Sequence, residues 1–181
     1  MNFVPKKCFL TGGFGFHKNE LQSFELALRM AGIEKLNLVY VSSILPPHCE
    51  IIDQKEGLTL LNPGQIAFCV MARATTDEYN RMVGASVGMA IPNNKDNYGY
   101  ISEHHGYGMD EQEIGDFAED LATTMLATTL GIEFDPEKEY DERRNIYFMD
   151  GQIVKSQSFP VVKNGLKNGF TTVVSSVIFL L

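Results

Sequence analysis

The sequence predicts a single domain of the α+β class. Several apolar runs carry the branched and aromatic side chains typical of strands, whereas two longer segments repeat their apolar residues with the spacing of a helix. Segments of these two kinds pack together as sheets and helices around one core. The 181 residues are enough for one domain with a substantial core, so we expect residues 1–181 to fold as one unit.

The first part of the chain predicts a strand, a loop, a helix and a second strand. Lys7–Thr11 has the apolar character of a strand, and the glycines of Gly12–Phe16 predict a flexible loop after it. Glu20–Ala31 predicts an amphipathic helix that ends at Gly32, a residue suited to the left-handed conformation beyond a helix. The apolar run Leu36–Val41 predicts a buried strand. The apolar stripe of the helix is expected to contain Leu21, Phe24, Leu28 and Ala31.

Five further strands are expected in the rest of the chain, at Gln65–Ala74, Met82–Ile91, Tyr98–His104, Gln152–Phe159 and Phe170–Leu180. The pair Ser175-Ser176 lies within the last of them, and we interpret both serines as ordinary strand residues. The segment Glu133–Asn145 is rich in charge, so a solvated connection or a frayed helix end is expected there.

A second long helix is expected from Glu111 to Leu130. Asp110 and Glu113 have the spacing of a capping box, in which two side chains each accept a backbone hydrogen bond at the start of a helix. Asp stands here where such boxes usually have Ser or Thr. The core face of this helix is expected to carry Ile114, Phe117, Leu121 and Met125.

Charge and cysteine content narrow the classes of function. The formal net charge is −8, and without a stripe of Lys and Arg to neutralise phosphates the chain is not expected to bind nucleic acid. The same charge suits a cationic substrate. Cys8, Cys49 and Cys69 are odd in number and widely spaced, which predicts neither a disulfide framework nor a zinc site and favours a reducing compartment.

No segment predicts export or membrane insertion. The first seven residues lack the apolar stretch of a secretory signal. The apolar run Val173–Leu181 is too short to cross a bilayer, which takes about 20 residues. A soluble cytoplasmic protein without a membrane partner is therefore expected.

The adjacent serines Ser42 and Ser43 lie where the predicted strand approaches Pro46-Pro47. Proline fixes its own φ and holds the preceding residue in extended geometry, so the strand must end near Ile44-Leu45. Serines at a strand end commonly satisfy local backbone groups. Alternatively, the Ser43 hydroxyl attacks the carbonyl carbon of residue 42 and converts the amide to an ester. β-Elimination of this ester would leave a dehydroalanine, which hydrolyses to a pyruvoyl group with loss of ammonia.

The segment from Asn37 to Pro47, Asn-Leu-Val-Tyr-Val-Ser-Ser-Ile-Leu-Pro-Pro, closely resembles the cleavage segment of the pyruvoyl-dependent arginine decarboxylases. The resemblance continues in family order through Phe24–Leu28, Ala31–Ile33, Val87–Pro92 and Gly99–Glu103, and ends in a strand of small residues. It implies a four-layer αββα sandwich, assembled as a homotrimer with active sites between subunits. It also implies that the chain cuts itself between Ser42 and Ser43 into two fragments.

The resemblance implies a reaction and its main participants. L-Arginine would become agmatine and CO₂ on a covalent pyruvoyl group derived from Ser43, whose ketone forms a Schiff base with the substrate α-amine. Glu103 matches the glutamate that protonates the substrate carbon, a task that requires a raised pKa. Asn37 matches an asparagine that supports processing by donating to the attacked carbonyl oxygen. Without the resemblance, Asn37 is simply a residue that caps a strand start.

Glu25 matches an aspartate that binds the guanidinium group of the substrate. A carboxylate suits this task because a planar guanidinium donates two parallel hydrogen bonds to its oxygens. By helical spacing alone, Glu25 lies beside the Leu21/Leu28 stripe, where most carboxylates are solvated charges. Because Glu is one methylene longer than Asp, a shorter cationic substrate such as lysine or ornithine is an alternative.

Two other kinds of site are disfavoured. Glu103-His104-His105 offers metal-binding side chains, but neighbours on a strand point to opposite faces, so the three are not expected to converge on one ion. The glycines of Gly12–Phe16 do not form a nucleotide-binding motif, and we expect a mobile segment near the pocket. A binding scaffold that kept the fold but lost catalysis is the alternative from a different functional class.

Overall fold

A computed structural model describes residues 3–132 and 153–181 of the chain. Within these ranges the elements are, in chain order, β1 (Lys7–His17), α1 (Glu20–Ala31), β2 (Asn37–Tyr40), β3 (Ile44–Leu45), β4 (Glu50–Ile51), α2 (Gln54–Thr59), β5 (Ile66–Thr76), β6 (Met82–Pro92), β7 (Gly99–Tyr107), α3 (Glu111–Leu130), β8 (Ile153–Asn164) and β9 (Phe170–Leu180). The mixed α+β class predicted from the sequence is confirmed.

The strands form two sheets that pack face to face. One sheet has five strands in the order β2-β5-β9-β1-β4, and the other has four in the order β3-β7-β6-β8. The long neighbouring strands are antiparallel, whereas β2 joins β5 and β4 joins β1 in parallel. The space between the sheets is filled by buried apolar side chains from both, among them Val70, Val87, Ile101 and Val177.

One long helix packs on each sheet. α1 lies against β1 and β9 of the five-stranded sheet, and α3 lies against β6, β7 and β8 of the four-stranded sheet. A second apolar cluster fills the space under α1 and includes Phe9, Ala27 and Ile178. A third, smaller cluster under α3 includes Ala122 and Leu126.

The bounds of α1 are those predicted, and its ends show why. The Asn19 side chain accepts a hydrogen bond from Gln22 N–H (3.1 Å), which satisfies one of the free amides of the first turn. Gly32 ends the helix with φ at 78°, in the left-handed region that favours glycine.

The buried face of α1 differs in part from the expected apolar stripe. Phe24 and Leu28 pack partly buried against the core, but Leu21 is 73% exposed, so its placement in the stripe was wrong. The helix comes so close to β1 that a Cβ on Gly15 would lie 2.1 Å from the Ser23 carbonyl oxygen. Only small side chains fit at such an approach, and the fully buried positions are Ser23, Ala27 and Ala31.

The bounds of α3 and its capping box are also as predicted. Asp110 Oδ1 accepts from Glu113 N–H (2.9 Å), and Glu113 Oε2 accepts from Asp110 N–H (2.9 Å). Of the four residues expected on the core face, Ile114 is buried and Met125 is partly buried. The other two, Phe117 and Leu121, are exposed.

Close packing explains the wrong placement of Phe117 and Leu121. A Cβ on Gly88 of β6 would lie 2.1 Å from the Ala118 carbonyl oxygen, so α3 sits against the sheet on its small residues. The buried positions include Ala118, Ala122 and Ala127. Phe117 and Leu121 lie on the flanks of the helix instead.

The segment Gly12–Phe16 is not the predicted loop near the pocket. It continues β1, which pairs with β9 along its whole length. A Cβ on Gly13 would lie 2.6 Å from the Ala27 carbonyl oxygen, so here glycine allows a helix to approach. The physical reason for the glycines is therefore close packing.

The other predicted strands are present, β9 with the predicted ends and the rest with shifted ends. Four of the five later strands appear as β5, β6, β7 and β9, and Ser175-Ser176 lies within β9 as predicted. The fifth corresponds to β8, although Gln152 and the segment Glu133–Asn145 lie outside the described residues. β3, β4 and α2 were missed because two to six residues carry too little periodicity to be recognised.

The strand predicted over Leu36–Val41 is present as β2, but it is not buried. It forms the edge of the five-stranded sheet beside β5, and Val39 and Tyr40 are exposed in the protomer. In the described part of the chain, no helix is both long and apolar enough to cross a membrane.

We expect Gly15→Ala to lower the free energy of unfolding by about 1–3 kcal/mol or more, because the new Cβ meets backbone atoms of α1 that cannot move aside. The matched control is Gly106→Ala in β7, where the nearest atom would be the flexible Met109 Sδ at 3.3 Å. Chemical denaturation of both variants measures the difference. A Gly15→Ala midpoint equal to that of wild type would contradict the packing argument.

Candidate active site

Ser42 and Ser43 lie where the chain crosses from one sheet to the other. β2 ends at Tyr40 in the five-stranded sheet, and Val41 N–H still donates to the Cys69 carbonyl of β5 (3.0 Å). β3 begins at Ile44 in the four-stranded sheet, where it pairs with β7. The two serines therefore span the edge between the sheets.

Both carbonyl groups that flank Ser43 accept a backbone hydrogen bond. The Ser42 oxygen accepts from Ile44 N–H (2.9 Å), which closes a three-residue turn centred on Ser43. The Ser43 oxygen accepts from Ile101 N–H of β7 (2.8 Å). These donors polarise both carbonyls and fix the orientation of residue 43. Ser42 is exposed and Ser43 is half-buried, so the dipeptide lies at the surface.

Glu103 lies on β7 two residues beyond Ile101, on the same face of the strand. Successive residues alternate as expected: His105 shares the face of Glu103, whereas the His104 ring stacks against Phe117 of α3 at 4.1 Å. Neighbouring atoms remove part of the hydration of the Glu103 carboxylate, which raises its pKa, and the charge of His105 opposes this effect. A raised pKa means that Glu103 holds its proton to a higher pH than an ordinary carboxyl group.

The negative charge of Glu103 affects the pKa of two side chains of the five-stranded sheet. Burial raises the pKa of the Cys69 thiol to about 12, and Glu103 adds to that rise. Partial burial also raises the pKa of Tyr40, with Glu103 adding to the rise and Arg73 opposing it. The Tyr40 hydroxyl donates to Met71 Sδ (3.3 Å).

An apolar cavity of about 350 Å³ lies beside the serine pair. The crossing segment lines one side of it through Val41, Ile44 and Pro46, and Phe68 and Phe179 of the five-stranded sheet line the other. Ser42 borders the cavity directly. The segment therefore has open space beside it.

Asn37 is not close to Ser43 within one protomer. It begins β2, and its side-chain amide donates to the Gly64 carbonyl (2.8 Å). Five residues of extended chain separate Asn37 from Ser42, a span of about 16 Å. In this conformation the Asn37 amide is engaged at the start of β2, and the role expected from the resemblance stays a prediction.

Glu25 lies on α1 with its carboxylate already paired. Arg29, one turn later, donates to Glu25 Oε1 from Nη2 (2.6 Å) and Nε (3.2 Å). The helix faces its sheet with Ser23 and Ala27, and Glu25 lies roughly 200° around the helix from each. Its side chain is 40% exposed. Glu25 thus points away from the protomer's own sheet.

Of the residues singled out from the sequence, the structure brings together Ser42, Ser43 and Glu103 and leaves Asn37 and Glu25 apart from them. The backbone donors of Ile44 and Ile101 were missed, because a backbone amide leaves no mark in the sequence. Tyr40 and Cys69 were missed because their electrostatic interaction with Glu103 depends on the tertiary fold. Within the described residues, no three His, Cys, Asp or Glu side chains are grouped to hold a metal ion.

Comparison with known proteins gives one consistent result. The family model described as "Pyruvoyl-dependent arginine decarboxylase (PvlArgDC)" matches residues 7–181. A "Probable pyruvoyl-dependent arginine decarboxylase" of Chlorobium limicola is 58% identical over 180 residues, which cover 99% of each chain. A "Pyruvoyl-dependent arginine decarboxylase" of Methanococcoides burtonii is 55% identical over 179 residues, covering 98% of this chain and 99% of the relative.

Proposed function

The chain belongs to the pyruvoyl-dependent arginine decarboxylase family, and from this membership we propose that it cuts itself between Ser42 and Ser43 and then converts L-arginine to agmatine and CO₂. One observation carries the proposal beyond the family match. Both carbonyl groups beside Ser43 are bound by backbone N–H donors, and Glu103 lies two residues from one of those donors.

The bonds that form and break in self-cleavage belong to residues 42 and 43. The Ser43 hydroxyl oxygen attacks the Ser42 carbonyl carbon, the C–N bond breaks, and the amide becomes an ester with a free amine on residue 43. Ile44 N–H donates to the oxygen on which negative charge develops, the role of an oxyanion donor. Loss of the Cα proton of residue 43 then expels the Ser42 carboxylate and leaves dehydroalanine. Water hydrolyses its imine tautomer to a ketone and releases ammonia.

The decarboxylation depends on how the chain holds substrate and proton. The pyruvoyl group derived from Ser43 supplies the electron sink for the pair left behind by CO₂. Ile101 N–H binds the Ser43 carbonyl oxygen and therefore stabilises negative charge that reaches it. Glu103, with its raised pKa, keeps a proton and donates it to the substrate carbon.

We propose that the active site is completed between protomers of a homotrimer, each a four-layer αββα sandwich formed by residues 1–181. Two observations support sharing of the site. Glu25 points away from its own sheet, and Asn37 lies about 16 Å along the strand from its own Ser42. The edge strand β2 also leaves Val39 and Tyr40 exposed, as a subunit contact would require. A neighbouring protomer would then supply Glu25, and Asn37 would act across the same contact.

Arginine is the proposed substrate because the relatives are named for it and because Glu25 can hold a guanidinium group. In the structure Glu25 already binds the Arg29 guanidinium at 2.6 Å, so its extra methylene does not prevent such a contact. Substrate arginine would compete with Arg29 for this carboxylate. Lysine and ornithine, the alternative suggested by Glu25, have a single ammonium in place of the planar fork. Assays with all three amino acids distinguish these substrates.

We expect purified wild-type protein to consist of fragments of 42 and 139 residues, the larger one blocked at its N-terminus and reactive toward hydrazine. Ser43→Ala should remain full length and inactive, because the attacking hydroxyl is gone. Ser42→Ala is the matched control and should still be cut, because it keeps both the hydroxyl of residue 43 and the carbonyl of residue 42. Intact mass under denaturing conditions distinguishes cut from uncut chains. An uncut wild-type chain would favour the inactive scaffold, and a Ser43→Ala variant with normal turnover would overturn the cofactor assignment.

Glu103→Gln should be cut normally but decarboxylate about 10²–10⁴-fold more slowly, because it lacks the donated proton. For wild type, kcat should fall as the pH rises through the raised pKa of Glu103, since only the protonated carboxyl group can donate. This limb of the pH profile should be absent from the residual activity of Glu103→Gln. Glu111→Gln, an exposed glutamate in α3, is the control. An unchanged pH limb in Glu103→Gln would assign the donor to another group.

Sharing of the site between protomers can be tested by mixing inactive variants. Glu25→Gln and Ser43→Ala should each be inactive alone, whereas hybrid oligomers purified through two different tags should regain part of the wild-type activity. The matched control pairs Ser43→Ala with Glu103→Gln. Because Ser43 and Glu103 belong to the same protomer, that hybrid should stay inactive. Inactive hybrids of the first pair would place Glu25 and Ser43 in one protomer or remove Glu25 from the site.

A further inference from the structure

Cys8 and Cys49 face each other between the two sheets. Cys8 lies in β1 opposite Ile51 of β4 and is fully buried. Cys49 precedes β4 and lies two residues before Ile51, so it is on the same face of the sheet as Cys8. Both side chains pack in the apolar cluster between the sheets.

The two thiols are neighbours in this cluster and differ in burial. Interaction with Cys49, together with burial, raises the pKa of Cys8, and interaction with Cys8 lowers the pKa of Cys49. Cys49 is only half-buried and Cys8 is shielded, so a reagent from solution reaches Cys49 first. An accessible thiol of lowered pKa beside a shielded partner is the arrangement in which one cysteine reacts and the other resolves.

The two cysteines lie on opposite sides of the proposed cut. Cys8 precedes Ser42 in the chain, and Cys49 follows Ser43 by six residues. We propose that Cys8 and Cys49 form a reversible disulfide, which, given the self-cleavage proposed above, ties the two fragments of the mature protein together.

A small disulfide such as oxidised glutathione can supply the oxidising equivalents. The Cys49 thiolate attacks one of its sulfurs, forms a mixed disulfide and releases one glutathione thiolate. The Cys8 thiol, as its proton leaves, attacks the Cys49 sulfur and expels the second glutathione. Two protein thiols are thereby oxidised to one disulfide, and one small disulfide is reduced to two thiols. The protein sulfurs must approach each other to reach the disulfide bond length of about 2.05 Å.

The surroundings allow this approach and exclude the third cysteine. Cys49 follows a turn in which its own N–H donates to the Pro46 carbonyl (3.2 Å), and His48 before it is exposed, so the Cys49 side can adjust. Cys69 lies in the separate cluster under α1 and has its pKa raised to about 12. Cys69 is therefore an internal control within the same chain.

The test uses the purified, cut protein incubated with oxidised glutathione, denatured, alkylated with N-ethylmaleimide and analysed by intact mass without reductant. We expect one species whose mass is the sum of both fragments less two hydrogens, with alkylated thiols falling from three to one. Dithiothreitol should restore two separate fragments and three alkylated thiols. Three alkylated thiols after oxidation, or a stable mixed disulfide on the larger fragment, would overturn the proposal.

Variants identify the partners and separate this proposal from self-cleavage. Cys49→Ser and Cys8→Ala should abolish the linkage, whereas Cys69→Ala should leave it intact; linkage that survives in Cys49→Ser would overturn the pairing. The Ser43→Ala chain should lose the same two thiols within one uncut polypeptide. If wild type proves uncut yet loses two thiols, self-cleavage fails and the disulfide stands. If the wild type instead gives separate fragments that keep all three thiols, self-cleavage stands and the disulfide fails.

Discussion

The hydrogen bond from Ile101 N–H to the Ser43 carbonyl is the contact on which the arrangement of the site depends. β3 has only two residues, so its pairing with β7 is a short attachment. The bond extends that attachment back to Ser43 and holds this residue on the four-stranded sheet. On the other side, Val41 N–H holds the chain to β5 of the five-stranded sheet. Ser42 and Ser43 are therefore held between two fixed points, and hydrogen bonds to their carbonyls fix the orientation of these groups.

Close approach of helix to sheet determines which parts of the fold the sequence could predict. Helix bounds were predictable because caps are local: Gly32 and the Asp110–Glu113 box act within a few residues. Buried faces were less predictable, because glycines in the strands bring the helices so close that small residues occupy the contact. Phe117 was therefore misplaced although its spacing suited a core position. The same packing made Gly12–Phe16 resemble a loop.

The residues of the candidate site also differ in how far the sequence could predict them. Ser43 and Glu103 were predictable as residue types in a recognisable order, and the structure brings them to one edge of the sheets. The donors of Ile44 and Ile101 were not, because any residue supplies a backbone N–H and only the crossing of the chain selects these two. Nor does residue order reveal that Glu25 points outward from its own protomer, since that direction follows from which side of α1 meets the sheet. Tertiary packing decides both.

The sheet architecture would also keep the first part of the chain in place after the proposed cut at residue 42. That part supplies β1, which lies inside the five-stranded sheet between β9 and β4 and pairs with β9 over eleven residues. It also supplies α1, whose small residues interlock with the glycines of β1. Separating the fragments would expose this core and break the central ladder of the sheet, so the proposed cut would remove a covalent bond but leave the main cohesive contacts. The proposed cut would fall at the crossing itself, where Val41 is bonded to the five-stranded sheet and Ser43 to the four-stranded sheet, so each new end would stay on its own sheet.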